Sequence, residues 1–316
     1  YCKRIVLIYC ASVSKAFRSP GFPSQGSQTA SKRRTPDTSN TFVANGSTMP
    51  NEEIVLPAKL AIGPPAPFYF SIFARATMLA LLICIGHWVQ SYLGGVSMHA
   101  TDDGKGGADT SKLFNWHPIL MTLAFGVFMA EALLTYQVPL WPGIPRETRK
   151  KIHWGCHSAA IVCALLGVTA AFKSHSLKKP TPIPDLYSPH SFLGMTTLVM
   201  VGLQFLVGLT SYVAPRASLP FRLALGPVHK FAGYATWSCG LAAMATGLQE
   251  KVTFLQLGKA LSGDALYGAV IRLPAVAVVL LVVLAVSVLY HQVPPAQPLN
   301  TDKTQREGLL ESVTQE

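Results

Sequence analysis

His117, His153, His190 and His229 stand near the starts of four successive apolar segments, at steps of 36, 37 and 39 residues. Imidazole binds metals through whichever ring nitrogen carries no proton. Consecutive segments that cross a bilayer run antiparallel, so histidines at their starts alternate between its faces. His117 and His190 then share one face, and His153 and His229 share the other. An ionisable residue within a span is costly and faces the bundle interior, where it needs a partner. Haem iron is such a partner. An imidazole on each side fills both axial positions, leaves none open for oxygen and favours electron transfer. The pattern predicts two bis-histidine haems, one near each face, which divide the crossing into shorter electron steps. A single histidine at a helix start has a blander reading, as an interfacial or hydrogen-bonded residue. Four at matched spacing make coincidence the minority explanation.

The elements that must position them follow from composition. The chain has 316 residues, 50% of them hydrophobic and only 13% charged, with a mean hydropathy of +0.34. That is too apolar for an ordinary soluble domain. A spanning helix needs about 20 apolar residues. Six stretches qualify: Phe68–Leu93, Leu113–Leu134, Ile152–Phe172, Phe192–Val213, Val228–Leu248 and Ala269–Tyr290. Backbone amides in lipid must be satisfied within their own segment, so the runs are read as helices. The expected fold is all-α, a six-helix transmembrane bundle whose four central helices hold two b-type haems. Helices two and four clamp the outer haem, and helices three and five the inner one.

The net charge of +11 does not indicate nucleic acid, because residues 1–48 alone carry seven basic residues against Asp37. That leader is poor in acids and resembles a transit peptide or a disordered stretch. The chain begins with Tyr1 and its first methionine is Met49. The preferred reading is therefore translated upstream sequence absent from the mature protein. Residues 49–67 read as a polar, proline-containing approach, 68–293 as the membrane domain and 294–316 as a disordered cytoplasmic tail. With the N-terminus inside, eleven basic residues after Met49 lie in the cytoplasm and eight opposite. This bias, sharpened by Arg146, Arg149, Lys150 and Lys151, places both termini, His153 and His229 on the cytoplasmic side.

Other polar residues leave choices open. His157 is one turn beyond His153 on the same face, and spacing alone does not choose between them as ligand. Glu131 lies about four turns beyond His117. It suits a polar haem contact, proton handling or a structural hydrogen bond to a neighbouring helix. Arg75 and Arg272 have the ordinary snorkelling explanation. Cys84, Cys156, Cys163 and Cys239 read as small packing residues, with no metal-site spacing.

Several motifs together resemble the cytochrome b561 family, particularly its plant-type members, over about Phe68 to Tyr290. They are Asn115-Trp116-His117-Pro118 with Glu131, Lys150-Lys151-Ile152-His153, Ala171-Phe172-Lys173-Ser174-His175, Leu186-Tyr187-Ser188-Pro189-His190-Ser191, Gly226-Pro227-Val228-His229 and Glu250-Lys251. The resemblance implies His153 as the third-span ligand and two b haems per chain. It implies an ascorbate-dependent transmembrane oxidoreductase, acting as a ferrireductase or monodehydroascorbate reductase. Cytosolic ascorbate is expected beside Arg146, Arg149, Lys150 and Arg222, or Arg216, where positive-inside topology accounts for the same charges. The opposite-side acceptor, monodehydroascorbate or a ferric chelate, is expected beside Phe172, Lys173, His175 and Tyr187. A homodimer in a vacuolar or other endomembrane, or in the plasma membrane, is likewise implied. Pro189 departs from the bulky apolar residue expected there, and the loop before His229 reads as longer than usual.

The competing class is a haem-free metal or proton-coupled permease, in which paired histidines bind the transported cation. Such sites gather at broken helices near the midplane, whereas these histidines occupy opposite ends of continuous spans. Two-haem reductases that pair histidines along the same two helices need ligands about 13 or 14 residues apart on one span, and no span here carries such a pair. No G-x-G-x-x-G fingerprint is present either, so the electron donor is expected to diffuse in.

Overall fold

The computed structural model describes residues 68–102, 104, 106–138 and 143–292. The leader, the polar approach and the tail lie outside the described residues. Six long helices carry the fold. They are α1 (Phe68–Tyr92), α2 (Ser111–Leu134), α3 (Arg146–Ser176), α4 (Pro189–Val213), α5 (Leu219–Gly258) and α6 (Ala269–Tyr290). A two-stranded hairpin, β1 (Thr101–Asp102) with β2 (Ala108–Asp109), fills part of the α1–α2 connection.

Local signals set the helix ends. α1 stops ahead of Gly94 and Gly95, both with φ near +80°, a conformation that costs glycine little. Pro145 precedes α3, which has Glu147 in its first turn and Lys173 and His175 in its last, each sign facing the favourable end of the helix dipole. α4 begins with a reciprocal cap: the Ser188 hydroxyl accepts from the Ser191 N–H, and the Ser191 hydroxyl accepts from the Ser188 N–H. α2 is locally wound as a π-helix over Thr122–Met129, and α4 ends in a π-helical turn, Leu209–Val213. Wide turns of this kind recur at functional sites.

Two helices run well past the apolar windows read from the sequence. α3 has 31 residues and α5 has 40. At 1.5 Å per residue α5 is about 60 Å long, twice the roughly 30 Å of hydrocarbon. Its polar ends are helical outside the core, so the expected long loop before His229 is helix from Leu219 onward. His117, His153 and His229 consequently stand inside their helices and not in the first turn, unlike His190. Among the described residues five helices are long and apolar enough to cross a membrane, and α5 is not one of them. Its middle is rich in Gly, Ala and Thr, and Trp237, Gly240, Leu241 and Ala243 are buried against the other helices instead of facing lipid.

α2 packs on α3, α4 on α5 and α1 on α6. The core contains Leu81, Ile85, Trp88, Phe125, Met129, Trp237 and Leu284. The indoles of Trp88 and Trp237, the two tryptophans of this core, both have partners. Trp88 Nε1 donates to Val270 O at 2.9 Å, and Trp237 Nε1 to Phe125 O at 2.9 Å. Large apolar side chains such as Ile83, Leu165, Leu203 and Val282 cover the outside. A belt of that kind faces hydrocarbon at no cost, and the chain is an integral membrane protein.

Among the described residues an ion pair joins the first two helices near the C-terminal end of α2. Arg75 grips Glu131 with two hydrogen bonds, at 2.9 and 2.6 Å, and also donates to Val138 O and the Ser71 hydroxyl. Arg75 therefore does not snorkel, and Glu131 is spent on a structural contact. Both side chains are mostly buried, at 17% and 24% exposure. Removing one partner strands the other charge, so Glu131→Gln is expected to destabilise the bundle by about 3 kcal/mol. Replacing both by Leu should recover most of the loss. Thermal unfolding in detergent checks this, and equal stability of Glu131→Gln and the wild type would contradict it.

Candidate functional site

The rings of His117 on α2 and His190 on α4 face each other across the bundle. Their centroids are 6.1 Å apart and their planes 83° apart. His117 Nδ1 lies 3.0 Å from Gly167 O, and His190 Nδ1 lies 2.8 Å from Ala243 O. A carbonyl only accepts, so Nδ1 carries the proton and Nε2 keeps its lone pair. Backbone partners of this kind fix the tautomer and orient the ring of a metal-binding histidine. His190 is held from behind as well: a Cβ on Gly247 would sit 2.6 Å from its Cε1.

At the other end His153 Nδ1 lies 2.8 Å from Ala132 O. His157 packs edge-on against His153, with centroids 4.6 Å apart, and is close enough to both His153 and His229 to interact with their charges. The His229 ring rests on Gly208, where a Cβ would lie 3.1 Å away, and beside Tyr212 at 5.4 Å.

The carbonyl partners follow a rule. Gly167 is 14 residues beyond His153, Ala243 is 14 beyond His229, and Ala132 is 15 beyond His117. Each ring is thus tied to the antiparallel neighbour at the depth where that neighbour reaches the opposite site. Fourteen residues of helix span about 21 Å, which sets the separation of the two sites along the bundle. The fourth histidine breaks the rule. His229 Nδ1 is buried with no hydrogen-bond partner among the described residues. Gln204, 14 residues beyond His190, instead donates its side-chain amide to the His229 backbone carbonyl.

A mainly apolar cavity opens beside His117 and His190 and includes Phe125, Met195, Gly240 and Gly247 in its walls. Phe172, His175 and Tyr187 line it, in company with Asp185, Glu250 and Lys251. His175 Nδ1 is 2.8 Å from Asp185 Oδ1, and Ser188 donates to Glu250 at 3.2 Å. Burial pushes the Tyr187 phenol up from its ordinary value, and the nearby Glu250 charge adds to the shift. Lys173 is exposed and not part of the lining. Asp185 and Lys251 were not singled out from the sequence for this mouth. Lys251 was marked only as part of the Glu250-Lys251 motif, and Asp185 left no mark beyond being a polar residue in a proline-rich loop.

The basic residues at the end that carries His153 differ in freedom. Arg149 donates to Ile144 O at 2.9 Å and to Tyr136 O at 3.0 Å, which holds the α2–α3 turn. Lys150 lies 3.4 Å from Glu147, and Arg146 is exposed. Arg222 is half-buried with Nε unpartnered among the described residues, and its carbonyl accepts from the Tyr212 hydroxyl at 3.1 Å.

The sequence profile of the family described as eukaryotic cytochrome b561 matches residues 116–255, which contain all four histidines. A probable ascorbate-specific transmembrane electron transporter 1 of Oryza sativa is 33% identical over 73% of this chain and 92% of its own length. The chain belongs to the cytochrome b561 family. Further relatives are an ascorbate-specific transmembrane electron transporter 2 of Zea mays, 31% identical over 60% of this chain and 75% of its own, and a lysosomal membrane ascorbate-dependent ferrireductase, CYB561A3, of Homo sapiens, 32% identical over 59% and 73%.

Membership of the cytochrome b561 family implies haem b, and the pair His117 and His190 fits it. Metal–imidazole bonds of about 2 Å on either side of one iron put the two ring centroids roughly 6 Å apart. That is the separation of His117 and His190, with both Nε2 lone pairs free. Glycines at 240 and 247 keep the adjoining wall flat. A bare divalent ion wants three or four protein ligands. Among the described residues no three His, Cys, Asp or Glu side chains converge to supply them.

Proposed function

We propose that this cytochrome b561 carries single electrons across its membrane from cytosolic ascorbate to an acceptor on the opposite side. His117 and His190 hold one b haem and His153 and His229 a second. The facing pair at 6.1 Å, with both Nδ1 protons committed to carbonyls, is the observation that carries this reading. Bound haem supplies a one-electron couple at each site. The protein does the rest: His117 with His190 and His153 with His229 would hold the iron, the carbonyls at Gly167, Ala243 and Ala132 hold three of the rings, and the apolar walls keep water away.

Ascorbate as donor is supported by the names of the rice, maize and human relatives. It is an anion at neutral pH, and Arg146, Lys150 and Arg222 provide positive charge at the end that carries His153. The acceptor is monodehydroascorbate or a ferric chelate, taken up at the mouth lined by Phe172, His175 and Tyr187. We place both termini in the cytoplasm and the protein in an endomembrane. The test is the visible spectrum of the purified protein and of vesicles loaded with ascorbate. Haem bands that sharpen on adding ascorbate, with ferric citrate reduced outside loaded vesicles, are expected. An absence of ascorbate-reducible bands rules the reading out.

The donor end gives a separate expectation. Because Arg149 braces the turn, the informative change is Arg146→Gln with Lys150→Gln. Loss of these charges should slow reduction by ascorbate about tenfold in stopped-flow mixing, with haem content intact. An unchanged rate returns both residues to the role of topology signals.

A further inference from the structure

We infer that Lys251 is the specificity-determining cation of the outer mouth, a seat for the oxyanion of a diffusing acceptor such as an enolate or a carboxylate-chelated ferric ion. The inference deepens the proposed function and rests on it.

Lys251 is the only lysine or arginine among the described residues that line the cavity beside His117 and His190. Its ammonium is half-buried and lies 4.7 Å from the centroid of the Phe114 ring. A ring face holds a cation in place without neutralising it. The carboxylates that face it are otherwise engaged. Asp109 is near enough for its charge to reach Lys251. Its carboxylate accepts from the Ser111 N–H at 3.0 Å and from the Ser111 hydroxyl at 3.0 Å, and lies 3.8 Å from Lys178. Those contacts, led by the Ser111 N–H, hold the Asp109 carboxyl below the usual carboxylate range. Glu250 accepts from Ser188, and Asp185 is bonded to His175. No described carboxylate lies within ion-pair distance of Lys251.

Position adds the second argument. Phe114 touches both Lys251 and the outer pair, with its ring 5.6 Å from that of His117 and tilted by 33°. An anion drawn to Lys251 is therefore one aromatic ring away from a haem-binding histidine, inside a low-dielectric cavity where charge pairing is strong. Lys173, the lysine carried over from the family motif, faces solvent and offers no such seat. The reaction at this seat moves one electron: a ferric chelate becomes ferrous, with no bond made or broken.

A haem carboxylate would present the same oxyanion to Lys251, and the experiment separates the two sources. The holoprotein is reduced with ascorbate and mixed with ferric citrate, an anion, or with hexaammineruthenium(III), a cation. In Lys251→Gln the ratio of the anionic to the cationic rate is expected to fall about tenfold, whereas Lys251→Arg retains most of it. Rising ionic strength should slow ferric citrate in the wild type more than in Lys251→Gln. Equal slowing of both acceptors, or an unchanged ratio with a shifted outer-haem potential, would assign Lys251 to a haem carboxylate and overturn the inference. Lys251→Met serves if the Gln variant loses haem, and haem loss in both variants also overturns it. Failure of the underlying reading looks different, since the wild type itself would then show no ascorbate-reducible haem.

Discussion

His190→Ala is expected to abolish the outer haem while the inner one survives. Iron held between two imidazoles would lose half of its bonding to protein side chains when one ring is removed, and His117 alone would not retain it. His117→Ala should have the same effect, because the two rings face one another. The inner pair sits about 21 Å away along the helices and shares no hydrogen bond with the outer one, so its spectrum should persist. Haem per chain should fall from two to one, the remaining bands should still respond to ascorbate, and reduction of ferric citrate across vesicles should stop. Retention of both haems in either variant would refute the pairing.

Gly247→Ala is expected to do almost as much damage from a residue with no chemistry of its own. Its new Cβ would lie 2.6 Å from Cε1, 2.9 Å from Nδ1 and 3.1 Å from Nε2 of His190. The ring cannot swing aside without breaking its 2.8 Å bond to Ala243 O. Disturbing a partner that orients a ligand costs about 10- to 100-fold in metal affinity. The outer haem should therefore be lost or substoichiometric. Helix propensity runs the other way, since Ala is favoured over Gly by about 1 kcal/mol, so a loss of haem cannot come from a weaker helix. Gly86→Ala on α1 is the control, with nothing within 4 Å of its added Cβ. Equal haem content in the two variants would remove Gly247 from the site.

The four histidines and the six helices were legible along the chain. Each leaves a local mark: a run of apolar residues long enough to span hydrocarbon, or a histidine repeated at the interval of one span and one turn. The same reading understated α3 and α5, because hydropathy marks the part of a helix inside the lipid and is silent about where helix continues into water. It made Arg75 a snorkelling residue and left Glu131 between three roles. The two side chains are 56 positions apart, and only packing of α1 on α2 brings them together. Contacts between helices settled the rest: the carbonyls that fix three of the four tautomers, the glycine behind His190, and Lys251 rather than Lys173 in the cavity wall. Such contacts depend on the rotation and depth of one helix against another, which residue types and their spacing along a single segment do not encode.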